Sequence, residues 1–142
     1  MTLIEFVNRY LGKKVDFDGH YGAQCVDLFR QYNRDVLGNE RTESVGGAKD
    51  LVLQYEKLPL EKKYFMLLKN PYSAKEGDVA VWNSTFSNPY GHVAIVLKAE
   101  NKRLVVFEQD GFRQDGAKIA ERNTSGILGY LREWPAMQDM EF

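Results

Sequence analysis

The chain is short of the residues that build staples and metal cages. In 142 residues it has one cysteine, Cys25, and two histidines, His20 and His92. A single thiol excludes an internal disulfide and a multi-thiolate zinc site. No apolar run approaches the roughly 18 residues of a membrane-spanning helix. Charge bias is also missing. With 19 basic and 20 acidic residues, well mixed, the net charge is -1. That leaves no electrostatic footprint of a nucleic-acid binder. Met1-Thr2-Leu3-Ile4-Glu5 is not a basic stretch followed by an apolar one, so a secretory signal is not expected. Repeats and low-complexity tracts are absent. The rest is an ordinary globular composition, 44% hydrophobic and 27% charged. A chain of this length most simply makes one domain, burying roughly two thirds of its unfolded surface without staples.

The first half carries helical periodicity. Thr2 and Glu5 fit a capping box, and Leu3, Phe6, Val7, Tyr10 and Leu11 then recur on one stripe. A first helix over about residues 3–11 is predicted, stopped by Gly12. Residues 12–23 are rich in Gly and Asp and cannot continue it. The helical period resumes at Gln24, with Val26, Phe29 and Val36 or Leu37 on one face and Gly38 closing the run. Residues 48–55 offer a third helix, and Pro59 is expected to end that region. The second half changes to β-branched and aromatic runs: Tyr64–Leu68, Gly77–Trp82, His92–Leu97, Arg103–Glu108 and Ile127–Trp134. Helices first and an antiparallel meander after them argue an α+β fold, with the helices packed on one face of a sheet. The domain is expected over residues 1–134, with 135–142 a tail or the start of a linker.

Cys25 falls in the first turn of the second predicted helix. A helix N-terminus favours a thiolate over a thiol, and the thiolate is the nucleophile. A cysteine at a helix start, with a histidine and an acid elsewhere in the chain, is the layout of a thiol hydrolase. His92 opens a strand and is the candidate base and acid. His20 lies in a loop, with no strand to hold it. Glu108 and Asp110 are two apart on a predicted strand, so both face one way. Either can orient the histidine. A lone cysteine is ordinarily a small buried hydrophobe; the joint arrangement, not any one residue, argues for chemistry. The backbone N–H of Cys25 and the side chain of Gln24 are candidate oxyanion donors. Tyr21, Phe86 and Tyr90 are candidates to line a substrate groove, whereas Trp82 is as readily a core residue.

Asp16-Phe17-Asp18-Gly19 offers a second site. Hard oxygens at alternate positions of a glycine-bearing loop suit Ca²⁺ better than the stricter Mg²⁺. The start matches an EF-hand loop, but the twelfth position is Asp27 rather than the usual Glu. Carbonyls of His20 and Gly22 can add ligands. Such an ion would be structural, tying the loop to the helix that carries Cys25.

Four blocks, in order, resemble the CHAP domain, the cysteine, histidine-dependent amidohydrolase/peptidase of phage endolysins and bacterial cell-wall hydrolases. They are Tyr21-Gly22-Ala23-Gln24-Cys25-Val26-Asp27-Leu28, Gly77–Trp82, Gly91-His92-Val93-Ala94-Ile95-Val96 and Phe107-Glu108-Gln109-Asp110. The resemblance implies a papain-like α+β fold and cleavage of an amide bond in the peptide part of peptidoglycan, as an N-acetylmuramoyl-L-alanine amidase or a cross-bridge endopeptidase. It implies Cys25 as nucleophile, His92 as acid and base, and Glu108 as the orienting acid. A fourth position, commonly Asn in the family, is Asp110 here. It also implies a calcium loop with side-chain oxygens from Asp16, Asp18 and Asp27 and carbonyls from His20 and Gly22. By the same resemblance, the enzyme is made in the host cytoplasm, reaches the wall at holin-dependent lysis, and works beside a C-terminal cell-wall-binding domain. The competing class is a catalytically inert cell-wall-binding module.

Overall fold

The computed structural model describes residues 1–135. The predicted tail therefore lies almost wholly outside the described residues. Thr2 caps α1 (Leu3–Tyr10): its side chain accepts from Glu5 N, and the Glu5 carboxylate accepts from Thr2 N. Gly12, at φ +80°, takes the left-handed turn that ends it. α2 (Cys25–Asp35) begins at the nucleophile candidate itself. The third predicted helix is shorter, α3 (Asp50–Leu53), and runs into a 3₁₀ turn at Tyr55–Lys57. Pro59 does not end this region. It starts α4 (Pro59–Tyr64), at the first helical position, where its missing N–H has no partner to lose.

Six strands follow: β1 (Phe65–Leu68), β2 (Val79–Trp82), β3 (His92–Glu100), β4 (Arg103–Glu108), β5 (Lys118–Asn123) and β6 (Ile127–Glu133). They form one antiparallel sheet in the order β1-β6-β2-β3-β4-β5. This differs from the simple meander in two ways. β6 returns across the sheet to pair with β2, and β5 was not foreseen. β5 reads Lys-Ile-Ala-Glu-Arg-Asn, too polar to signal a strand. As an edge strand it needs only one partner, and pairing with β4 supplies it.

Strand alternation splits the core in two. Phe107, Val79, Val81, Val93, Ile95 and Leu131 face the helices and pack with Phe6, Leu28, Phe29 and Tyr32. Ala80, Ala94, Val96, Leu104, Val106 and Tyr130 fill the other face. Each large side chain buried this way contributes about 1.5–3 kcal/mol.

The topology also makes a site. His92 is the first residue of β3 and Glu108 the last of β4. These strands are antiparallel neighbours, so their outer ends meet at one end of the sheet. α2 packs on β3 and delivers its N-terminus to the same end.

Candidate active site

Cys25, half-buried at the head of α2, lies within hydrogen-bonding reach of the His92 imidazole. His92 Nε2 is 3.0 Å from Glu108 Oε1. With Nε2 turned to the carboxylate, Nδ1 is the nitrogen left for sulfur. His92 is held from below by Trp82, whose ring lies 5.7 Å from the imidazole, centroid to centroid. Trp82 is thus a buried wall of the site rather than part of the groove. Gly91, at φ +75°, lets this approach happen: a Cβ there would sit 2.5 Å from the Trp82 carbonyl oxygen.

Charge follows from this geometry. Burial alone pushes the His92 imidazole down, but hydrogen bonds to Cys25 and Glu108 outweigh it and lift the pKa to about 9. Burial pushes the Glu108 carboxyl up, and its bonds to His92 and Arg122 overcome that and bring it to about 2. Glu108 is 1% exposed, so its charge must be paired. Arg122, from β5, supplies the partner through both Nε and Nη2, the latter at 2.8 Å. Register sets the two on one face but not opposite each other, since Lys118 is the direct partner of Glu108, and the long Arg122 side chain reaches along the strand. Arg122 pairs with Leu104, which shares a face with Glu108 two alternations further along β4. The Arg122 guanidinium also lies 5.8 Å from the Trp82 ring centroid, in cation–π range. Arg122 escaped the sequence reading because the edge strand that carries it did.

Asp110 makes no hydrogen bond to His92 among the described residues; the partners of its carboxylate are Phe112 and Arg113. β4 ends at Glu108, so the alternation that would align the two acids stops there. The chain turns, and Asp110 Oδ1 accepts from Phe112 N at 2.8 Å, capping that turn. Its carboxylate still lines the cleft.

The cleft has a volume of about 730 Å³. Cys25, His92, Gln24, Tyr21, Tyr90, Arg30 and Arg41 all line it. Phe86 does not: it projects fully into solvent from the loop before Gly91. Phe112, exposed beside Gly111, takes a place on the wall that the sequence did not suggest. The Cys25 N–H, first in its helix, has no intrahelical acceptor and is free for an oxyanion. His20 is exposed on its loop beside Tyr21.

Asp16, Asp18 and Asp27 converge, with one carboxylate oxygen of each within 4.8 Å of the others. Each spends an oxygen on a backbone N–H: Asp16 on Gly19, Asp18 on His20, Asp27 on Gln24. The other oxygen of each remains for a ligand. Burial, with Asp18 and Asp16 adding to it, raises the Asp27 pKa to about 6. Three carboxylates crowded at the head of α2 are a hard-oxygen set that fits a Ca²⁺-sized cation. The His20 and Gly22 carbonyls lie on the same loop.

A nucleophilic thiol, an imidazole and a carboxylate in line at one end of an α+β sheet define a thiol-hydrolase type of site. The CHAP domain family model matches residues 14–110, and the chain belongs to that family. Endolysin PlyTW of Staphylococcus phage Twort (strain DSM 17442 / HER 48) is 28% identical over 153 aligned positions, covering 93% of this chain and 30% of that protein. The crystal structure of the wild-type endolysin LysIME-EF1 superposes with a TM-score of 0.73 at 28% identity, over 91% of this chain and 61% of that one. An N-acetylmuramoyl-L-alanine amidase from Staphylococcus aureus shares the fold at a TM-score of 0.57 and 16% identity, over 86% of this chain and 34% of that one. The chain thus spans about a third to three fifths of these relatives.

Proposed function

We propose that this chain is the catalytic domain of a phage-type peptidoglycan hydrolase that cuts an amide bond in the wall peptide. The observation that carries the reading is the Cys25–His92–Glu108 line at the head of α2, opening on the cleft. Cys25 Sγ attacks the amide carbonyl carbon, and the C=O electron pair moves to oxygen. The Cys25 N–H and the Gln24 side chain receive that oxyanion. As the C–N bond breaks, His92 gives its proton to the departing amine, leaving a thioester. Water then attacks the thioester, His92 takes its proton, and the C–S bond breaks to release the carboxylic acid and return Cys25 as the thiolate beside protonated His92. Glu108 orients the ring and supports its charged form. Asp16, Asp18 and Asp27, with the His20 and Gly22 carbonyls, would hold a calcium ion that stiffens the loop in front of Cys25. A cell-wall-binding domain in a longer polypeptide, and synthesis in the host cytoplasm with release at lysis, fit the same reading.

The test is mass spectrometry of soluble fragments released from purified Gram-positive peptidoglycan, with Cys25→Ala beside the wild type. Fragments from the wild type alone are expected. Their new termini separate the amidase from the cross-bridge endopeptidase. Silence from both proteins, with Ca²⁺ and reductant and over several cross-bridge types, would favour the inert binding module instead.

A further inference from the structure

We infer that Gln109 is a positioning residue that sets the place of Cys25 against His92, an inference that rests on the hydrolase reading above. Glu108 and Gln109 are neighbours where β4 ends, and their side chains make separate sets of contacts. Glu108 serves the histidine. Gln109 turns toward the loop that leads into α2.

Gln109 is fully buried, and its amide is almost fully used. Oε1 accepts from Val15 N at 2.7 Å, and Nε2 donates to Val15 O at 2.7 Å. This cyclic pair grips one residue's backbone from both sides, as a strand neighbour would. Nε2 also donates to Gln24 O at 2.8 Å. Gln24 is the N-cap of α2 and directly precedes Cys25. The histidine's partner and the carbonyl before the nucleophile are therefore joined through a single side chain. Val15 in turn precedes Asp16, the first of the three clustered carboxylates. One amide thus links the acid loop, the nucleophile and the strand that orients His92.

Gln114 adds a second fastening, at Ala23: its Oε1 accepts from Ala23 N and its Nε2 donates to Ala23 O, both at 3.0 Å. It does not reach Gln24. Removing the Gln109 amide leaves Val15 N–H and Val15 C=O without their partners, and it leaves Gln24 C=O held only by Asp27 N, from within its own helix, with no tie to the β4 end. Misplacement of a reacting group by about 1 Å costs on the order of a hundredfold in rate. Gln109 lies beneath the loop and does not line the cleft, so substrate affinity should stay as it is.

The experiment compares Gln109→Met with Val96→Ala, a buried position in the cluster on the opposite face of the sheet. Hydrolysis is measured well below each protein's melting temperature, with wild type and Cys25→Ala alongside. Gln109→Met should lower kcat by about tenfold or more with KM nearly unchanged, the signature of lost positioning. Val96→Ala should melt earlier but keep its kcat. If Gln109→Met does not fold, Gln109→Asn keeps the amide chemistry one methylene short of its partners and should show the same loss. A folded Gln109 variant with the kcat of Val96→Ala overturns the inference. A wild type that releases no fragments strikes the hydrolase reading instead, so the two failures are distinguishable.

Discussion

Replacing Glu108 with Gln is the sharpest probe of the site, because it removes a charge and keeps the shape. Glu108 holds His92 Nε2 at 3.0 Å and is itself 1% exposed. A hydrogen bond to a charged group is worth about 1.5–3 kcal/mol. One pH unit corresponds to about 1.4 kcal/mol, so the imidazole should lose its proton about one to two pH units earlier. In the wild type His92 releases its proton near pH 9. The alkaline limb of kcat, which reports the protonated His92 needed by the leaving amine, should therefore move down by that amount in Glu108→Gln. Stability should fall as well, by about 1–3 kcal/mol. It should not reach the larger loss of a wholly buried pair, because the Arg122 side chain is 41% exposed and regains water. The pH window follows from the shifts. The Glu108 carboxylate, held at about 2, contributes stability that is present above its ordinary 4.5 and fades as pH falls toward 2. His92, raised to about 9, contributes stability present below its ordinary 6.5 and lost as pH rises toward 9. The deficit of Glu108→Gln should thus be greatest between those ordinary values, where both contributions are whole. The assay is fragment release against pH, paired with thermal melts across the same range. An alkaline limb that stays put in a folded Glu108→Gln protein would refute the assignment of Glu108 as the partner of His92.

Three further outcomes follow from the structure. Arg122→Met should leave Glu108 without its fork and lower the melting temperature; thermal melts check this, and an unchanged value would make the fork dispensable. Calcium should raise the melting temperature and chelator should remove the gain, with Asp27→Asn insensitive to both. Because Asp27 takes up a proton near pH 6, calcium affinity measured by calorimetry should be about tenfold weaker at pH 5 than at pH 8. Glu61 is fully buried in α4, and neither carboxylate oxygen has a partner among the described residues. Burial, then Glu43, raises its pKa to about 9 against the pull of Arg30. The folded state keeps a proton that the unfolded chain releases above about pH 4.5, so stability is lost as pH rises from there toward 9. Glu61→Gln should therefore be stabilising by on the order of 2 kcal/mol at pH 8 and much less at pH 5; a gap independent of pH in paired melts would count against this.

Much of the site can be read in the chain because its parts have local signatures. Thr2 and Glu5 announce α1, and Cys25 falls where the helical period resumes. His92 and Glu108 stand at the ends of β-branched runs, which is why both arrive at one end of the sheet. The aspartates of the acid loop advertise themselves by spacing. Reading failed where the signal was long-range or polar. β5 has no apolar alternation, and Arg122 was lost with it. Spacing aligns Asp110 with Glu108 only if β4 continues, and β4 ends at Glu108. Nearness in sequence suggests Phe86 for the groove, yet its loop carries it into solvent. Pro59 reads as a stop from the sequence, but a proline starts a helix as readily as it ends one, and here it starts α4.

The sequence by itself determined the local elements and the chemical kinds of the reacting groups, since capping, periodicity and side-chain chemistry are properties of neighbouring residues. The tertiary structure alone decided who pairs with whom. That β6 crosses back to β2, that Arg122 forks onto Glu108, and that Gln109 reaches the Gln24 carbonyl all depend on how distant segments are brought together. That is set by how two core faces pack together across the chain. No local window of residues contains that information.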